Sequence, residues 1–131
     1  MTAPFTAEEA AFLAGQRLGR IATASAGSEP DVAPVGFAVR EGVVEIAGFD
    51  NTKTRKFHNI KANPRASFVV DDLISVDPWQ PRGLKVTGRA EVSGDPARPT
   101  LLIIPETIWS WGLNPDAPKH FAGMIEKRSA R

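Results

Sequence analysis

Gly83-Leu-Lys-Val-Thr-Gly-Arg-Ala-Glu-Val92 alternates Leu84, Val86, Gly88 and Ala90 against Lys85, Thr87, Arg89 and Glu91. A period of two marks an extended strand with one face toward an apolar interior and the other toward water. Working outward, Ala66–Val70 is a second such run, joined to the first through a proline-bounded loop, Asp77-Pro78-Trp79-Gln80-Pro81-Arg82. Further upstream, Val35, Phe37 and Val39 alternate within Val32–Arg40, and Glu41-Gly42 supplies a tight turn into Val43-Val-Glu-Ile-Ala47. That pattern predicts a hairpin. Leu18–Ser25 reads as a strand with Ile21, Thr23 and Ser25 on one face, and Ser93-Gly94-Asp95-Pro96 turns the chain into another at Thr100–Ile104.

Two helices interrupt this series. Thr6 followed three residues later by Glu9 has the form of a capping box, with helix formers running on toward Gly15. Thr52–Ala62 changes period, with Phe57 and Ile60 three apart among polar residues, and Asn63-Pro64 ends it because a residue before proline avoids helical backbone. From Asn114 the tail is polar, with Pro115 and Pro118, and carries no expected element. Six or so short strands with one crossing helix exceed what a bundle or a regular βαβ repeat would show. The expectation is a mainly β single domain, 1–131, closed as an antiparallel barrel or a partly open one, since closure removes exposed strand edges.

Composition narrows the chemistry. The 131 residues are 42% hydrophobic and 24% charged, ordinary for a folded domain large enough to need no staples. With no Cys and no Tyr, thiolate nucleophiles, disulfides, iron–sulfur clusters and phenolic acid–base groups are excluded. The two His, at 58 and 120, stand in no metal-ligand or triad spacing, so no metal is expected and no catalytic side chain can be named. The longest apolar runs fall far short of the roughly 20 residues a membrane helix needs. The first residues lack the basic and apolar regions of a secretory signal, which makes the cytoplasm the expected address.

Charge is uneven. Residues 51–70 hold Lys53, Arg55, Lys56, Lys61 and Arg65 with no acid, while the rest of the chain carries eleven cations against fifteen acids. A locally basic segment in a mildly acidic protein suits a small anionic ligand better than nucleic acid, which calls for a broad positive face. Lys53, Arg55 and Lys56 fall at the expected start of the second helix, where cations oppose the macrodipole. An anion there removes the conflict, and the free amides, the hydroxyls of Thr52 and Thr54 and the cations compose a phosphate cradle. The bland alternative is a solvated basic face. Trp79, Trp109 and Trp111 supply flat apolar surface for a planar heterocycle or a subunit contact, with core packing the competing account for Trp109. Asp71-Asp72 is no carboxylate pair, because neighbours on a strand point to opposite faces; a strand-end or turn role is expected.

Together these segments resemble the pyridoxamine-phosphate-oxidase-like split barrels, in particular their deazaflavin-dependent branch. The stretches that carry the resemblance are Leu18-Gly-Arg-Ile-Ala-Thr-Ala, Asn51-Thr-Lys-Thr-Arg, Asn63-Pro-Arg-Ala-Ser-Phe-Val-Val-Asp-Asp, Pro78-Trp-Gln-Pro-Arg-Gly and Ile108-Trp-Ser-Trp-Gly-Leu, over about residues 10–113. The resemblance implies a homodimer of six-stranded antiparallel split barrels with two equivalent cofactor grooves at the interface. It assigns Lys53 to the cofactor phosphate, with Thr52, Thr54 and Arg55 as further contacts. Pro34 and Val35 would run under the ring, Gly48 would let the cofactor approach, and Trp79 and Trp111 from the partner subunit would border the ring. The implied activity is an oxidoreductase that uses the deazaflavin coenzyme F420 to reduce an unsaturated or conjugated small molecule. FMN, with one phosphate, fits the same cradle, and a non-enzymatic cofactor-binding protein is the remaining alternative. Asn51 departs from relatives with Arg there, and the C-terminal signature of true pyridoxamine-phosphate oxidases is absent, so vitamin B6 oxidation is not expected.

Overall fold

In the computed structural model, which describes residues 4–48, 50–116 and 125–130, the chain runs α1 (Ala7–Ala14), β1 (Leu18–Ala24), β2 (Pro30–Gly36), β3 (Ala38–Arg40), β4 (Val43–Ile46), a 3-10 turn (Asn51–Lys53), α2 (Arg55–Ala62), β5 (Arg65–Ser75), β6 (Gln80–Ser93), β7 (Thr100–Trp111) and β8 (Ile125–Ser129). All strand pairs are antiparallel, in the order β2-β1-β5-β6-β7-β4-β3, with β8 added to the free part of β7.

The order contains its own closure. β2 and β3 lie at opposite ends of the sheet, yet only Phe37 separates them. Two residues flanking one other are at most about 7 Å apart, so the sheet must curl until its ends meet. The continuous β2–β3 segment is thus one stave, and with β1, β5, β6, β7 and β4 it makes a six-staved barrel. Alternation sets what fills it. Ile21, Val44, Ile46, Phe68, Val70, Leu84, Val86, Leu101, Ile103 and Ile108 are buried, while Lys85, Thr87 and Arg89 face outward. The Phe37 ring meets Phe68 edge-on at 5.0 Å, which anchors the closing residue to the core.

Local chemistry fixes the joints. Thr6 and Glu9 form the expected capping box of α1. Glu41 and Gly42 both have positive φ, 52° and 77°, as a two-residue hairpin loop matched to strand twist requires. The β5–β6 hairpin extends beyond the expected strands, and Asp72 is mid-strand rather than at a strand end: Arg82, opposite it, donates at 2.6 and 3.0 Å and Gln16 at 2.8 Å. The hydrogen bonds from Arg82 hold the Asp72 carboxyl below its usual range against the opposing effect of burial.

β8 was not legible in advance. Ile125-Glu-Lys-Arg-Ser129 has no alternation and is mostly exposed, pairing with Thr107–Trp111 through its backbone. One tie to the body is Arg128, which donates to both carboxylate oxygens of Glu9 and to the carbonyl of Pro4. Glu9 is 1% exposed. Burial pushes its carboxyl up, but hydrogen bonds from Arg128, the Thr6 amide and Ser110 outweigh that and keep it below the usual value.

Candidate functional site

The turn after β4 is built around Asn51. Its buried amide donates to the carbonyls of Ile46, Ala47 and Pro99 at 3.0, 2.8 and 2.9 Å, joining the end of β4 to the start of β7. Gly48 makes room for it. A φ of 62° favours glycine here, and a Cβ falling 2.5 Å from Asn51 Oδ1 would displace the brace. Asn51 is therefore an internal brace, which accounts for a residue at that position that does not face a phosphate.

The basic segment differs from its expected form in three respects. Lys53 lies in the 3-10 turn, and Thr54 is the N-cap of α2, accepting from the Phe57 amide at 3.3 Å. Two cations, Arg55 and Lys56, occupy the first turn rather than three. An acid also accompanies them: Asp50, one residue before the acid-free window, lies 3.7 Å from Lys53 and caps the turn by accepting from the Thr52 amide and hydroxyl at 3.2 and 2.6 Å. The Thr52 hydroxyl holds the Asp50 carboxyl below its usual range, and Lys53 adds to that. The Thr54 hydroxyl donates to the Asn51 carbonyl at 2.7 Å. Both threonine hydroxyls thus build the turn. What remains open to an anion, among the described residues, are the amides of Arg55 and Lys56, their side chains, and the exposed Lys53 ammonium.

Beside this turn lies a cleft of about 420 Å³ lined by Gly36, Phe37, Ala38, Arg40, Glu45, Ala47, Gly48 and Thr100. It sits outside the barrel at the β2–β3 bend. Pro34 and Val35 lead directly into it, Pro34 exposed and Val35 turned into the core, so Val35 can offer a ligand only its backbone. Arg40, Glu45, Phe37 and Thr100 were missed at the level of sequence, because nothing there sets Arg40 and Glu45 apart from an ordinary cross-strand ion pair. Arg40 Nε is 2.7 Å from Glu45 Oε2, but not aligned as a hydrogen bond, and that buried oxygen accepts none from the described residues.

Trp79 and Trp111 are elsewhere. Trp79, 66% exposed, stands at the tip of the β5–β6 hairpin after the cis Asp77–Pro78 bond. Half-buried Trp111 lies against Gly83, where a Cβ would come 2.5 Å from its ring. Both belong to the Gln80 end of β6, whereas Thr100 and Gly48 belong to the Ser93 end. Those ends are about 40 Å apart along the strand. One chain cannot place Trp79 and Lys53 around one small ligand. Trp109 has Lys85 over its ring at 4.2 Å and Lys127 at 5.5 Å. His58 is exposed beside Phe57, and His120 lies outside the described residues. No group of metal-ligating side chains gathers among the described residues, and no helix there is long and apolar enough to cross a membrane.

The profile of the pyridoxamine 5'-phosphate oxidase family matches residues 5–112. The chain belongs to that family. A relative, the 5a,11a-dehydrotetracycline/5a,11a-dehydrooxytetracycline reductase of Streptomyces rimosus, is 38% identical, the match covering 86% of this chain and 87% of that one. Among solved structures, a conserved hypothetical protein from Mycobacterium tuberculosis superposes with TM-score 0.73 at 22% identity, covering 84% of this chain and 86% of the other. A FAD-binding protein from Mesorhizobium loti gives 0.64 at 21%, covering 81% and 93%. These structures share the fold of the pyridoxamine 5'-phosphate oxidase family. The residues around the cleft are compatible with a flavin-type group: Gly36 leaves open wall, the Arg40–Glu45 pair is polar surface on it, and Gly48 leads into the basic turn that carries Lys53, Arg55 and Lys56.

Proposed function

We propose that this member of the family is an oxidoreductase that binds coenzyme F420 in the Gly36–Gly48 cleft and reduces an unsaturated or conjugated small molecule. The observation that carries the reading is the cleft at the β2–β3 bend, whose Gly48 leads into the Asn51–Arg55 turn, with a reductase 38% identical in support. When bound, the deazaflavin supplies two-electron hydride chemistry that no side chain here can perform. The chain's own residues bind and orient. Lys53, Arg55 and the first amides of α2 hold the phosphate and acidic tail, Gly36 admits the ring, and the backbone at Pro34 and Val35 lies alongside it; the space at Gly48, expected to let the cofactor approach, is filled by Asn51. The working unit is a homodimer. Exposed Leu18 and Val32 on the outer face, and Ile74, Val76 and Trp79 on the hairpin, are apolar surface that a second copy covers. The separation of Trp79 from Lys53 within one chain supports a groove shared by two copies.

Titrating the protein with oxidised deazaflavin coenzyme and with FMN, by fluorescence quenching, tests the reading. Saturable micromolar binding of the deazaflavin is expected, and FMN binding tightly while the deazaflavin does not bind rejects it. The FMN alternative draws on the pairing of Lys53 with Asp50, which lowers the charge the turn offers toward that of one phosphate. Binding without turnover of any quinone or enone leaves a cofactor carrier.

A further inference from the structure

The β2–β3 stave changes partner at Phe37. Up to Gly36 it pairs with β1, Gly36 opposite Leu18, and from Ala38 it pairs with β4, Ala38 opposite Glu45. Each half therefore has one edge that no strand covers. Continuing each ladder by a step sets Ala47 and Gly48 beside the open edge of β2, and Gln16 and the end of α1 beside that of β3. A second cavity, of about 360 Å³, lies in the latter gap. Ala10, Leu13 and Ala14 of α1 make one wall, and Phe37, Ala38 and Val39 the other. Gln16 also lines it; its amide nitrogen donates to Asp72 at 2.8 Å, so what it can offer is its oxygen. Among the described residues no charged side chain lines this cavity.

The backbone of β3 adds the other polar groups. Glu41-Gly42 is a two-residue loop, so its flanking pair, Arg40 and Val43, exchanges the ladder hydrogen bonds. Antiparallel alternation then turns the Val39 N–H and C=O away from β4, onto the open edge. Apolar walls with one fixed donor and two acceptors suit an uncharged, mostly apolar molecule that carries an N–H or O–H next to a carbonyl. Phe37 and exposed Ala38 line both this cavity and the cofactor cleft, so the two adjoin. We propose that the α1–β3 cavity is a second ligand site, which takes a conjugated amide or hydroxy-carbonyl compound. The ligand carbonyl accepts from the Val39 amide, its N–H or O–H donates to the Val39 carbonyl or to Gln16 Oε1, and its apolar body lies along α1. As the seat of the molecule to be reduced, the site rests on the reading that the adjoining cleft holds the deazaflavin.

The probe is 3-(2-naphthyl)acrylamide, with its N,N-dimethylamide, which lacks the N–H, and its free acid, which carries a charge. Each is titrated into the 15N-labelled full chain, with and without oxidised deazaflavin coenzyme, and followed through the backbone amide signals. The primary amide is expected to give saturable shifts centred on Ala10, Ala14, Gln16 and Val39, and the other two compounds to bind tenfold or more weakly. Ala14→Leu, a helix-forming change at an exposed position, fills the cavity and should abolish the shifts, with circular dichroism melts showing that the variant folds. Coenzyme binding with no shifts from the primary amide overturns the inference and leaves the cofactor reading intact. Equal binding of the three compounds, or shifts unaltered in Ala14→Leu, overturns it likewise. Shifts that appear only in Trp79→Ala assign the cavity to the hairpin of a second copy, which also overturns it. Failure of both the deazaflavin and FMN to bind overturns the cofactor reading and, with it, the cavity's place in the reduction.

Discussion

A single carboxamide fixes the shape of the turn on which the proposed site depends. Asn51 is 2% exposed, and its amide serves three carbonyls. Replacing it with Ala leaves buried acceptors unpaired, at about 1–3 kcal/mol for each group stranded. We expect Asn51→Ala to lower stability by about 3 kcal/mol, measured by urea unfolding, and to weaken cofactor binding because the Lys53 turn loses its support. Arg55→Ala separates binding from folding. It removes an exposed cation that opposes the α2 dipole, so stability without ligand holds or rises slightly, while affinity for the phosphate-bearing cofactor falls by about 1.5–3 kcal/mol. Unchanged affinity in calorimetric titration returns Arg55 to the solvated surface. At this scale the sequence was a partial guide. The basic cluster was visible, but Asp50 stood one residue outside it and the threonine hydroxyls proved to be caps, because a stretch of letters does not say which way a hydroxyl turns.

Among the elements, β8 is joined to the rest of the molecule by its ladder to β7 and by contacts of its side chains, of which the Arg128–Glu9 pair reaches a buried carboxylate. Removing the arginine leaves a carboxylate buried without its partner, which costs about 3 kcal/mol or more. Arg128→Ala is therefore expected to lower the melting temperature by roughly 10 °C and to speed amide exchange in β8. The sign of the pH effect follows from Glu9. Its folded pKa is depressed below 4.5, so the contact contributes stability that is fully present above that value and is lost as pH falls through the folded pKa. Urea unfolding between pH 7 and 3 should show the native protein losing this advantage over Glu9→Gln below about pH 4.5. A constant difference across the range would show that the pair does not act as an ion pair. The strands that bury alternate residues were legible, as Leu84, Val86 and Ala90 show on β6, whereas Val32–Arg40, expected as one run, is divided at Phe37 into β2 and β3, and β7 runs past Ile104 to Trp111. Nor were other strand ends legible: β5 and β6 run on to Ser75 and back from Gln80 with Ile74 and Val76 exposed, and β8 has no buried face to announce it.

For the whole molecule the question is which copy supplies which part of the groove. If Trp79 of one chain completes the site of another, two individually defective chains should cooperate. Mixing Trp79→Ala with Lys53→Ala/Arg55→Ala is expected to restore about one competent site in each heterodimer, as two-fold symmetry requires, read as recovered deazaflavin binding. Absence of recovery places both clusters in separate roles. The closure at Phe37 has a consequence of another kind. A hoop riveted at one point can be undone there: lengthening the link by a flexible pair of glycines would let β2 and β3 part, and the circle would relax into a ribbon with two raw margins. Each margin would then seek a neighbour, so loosening one rivet should convert a self-contained cask into a seed for polymer growth.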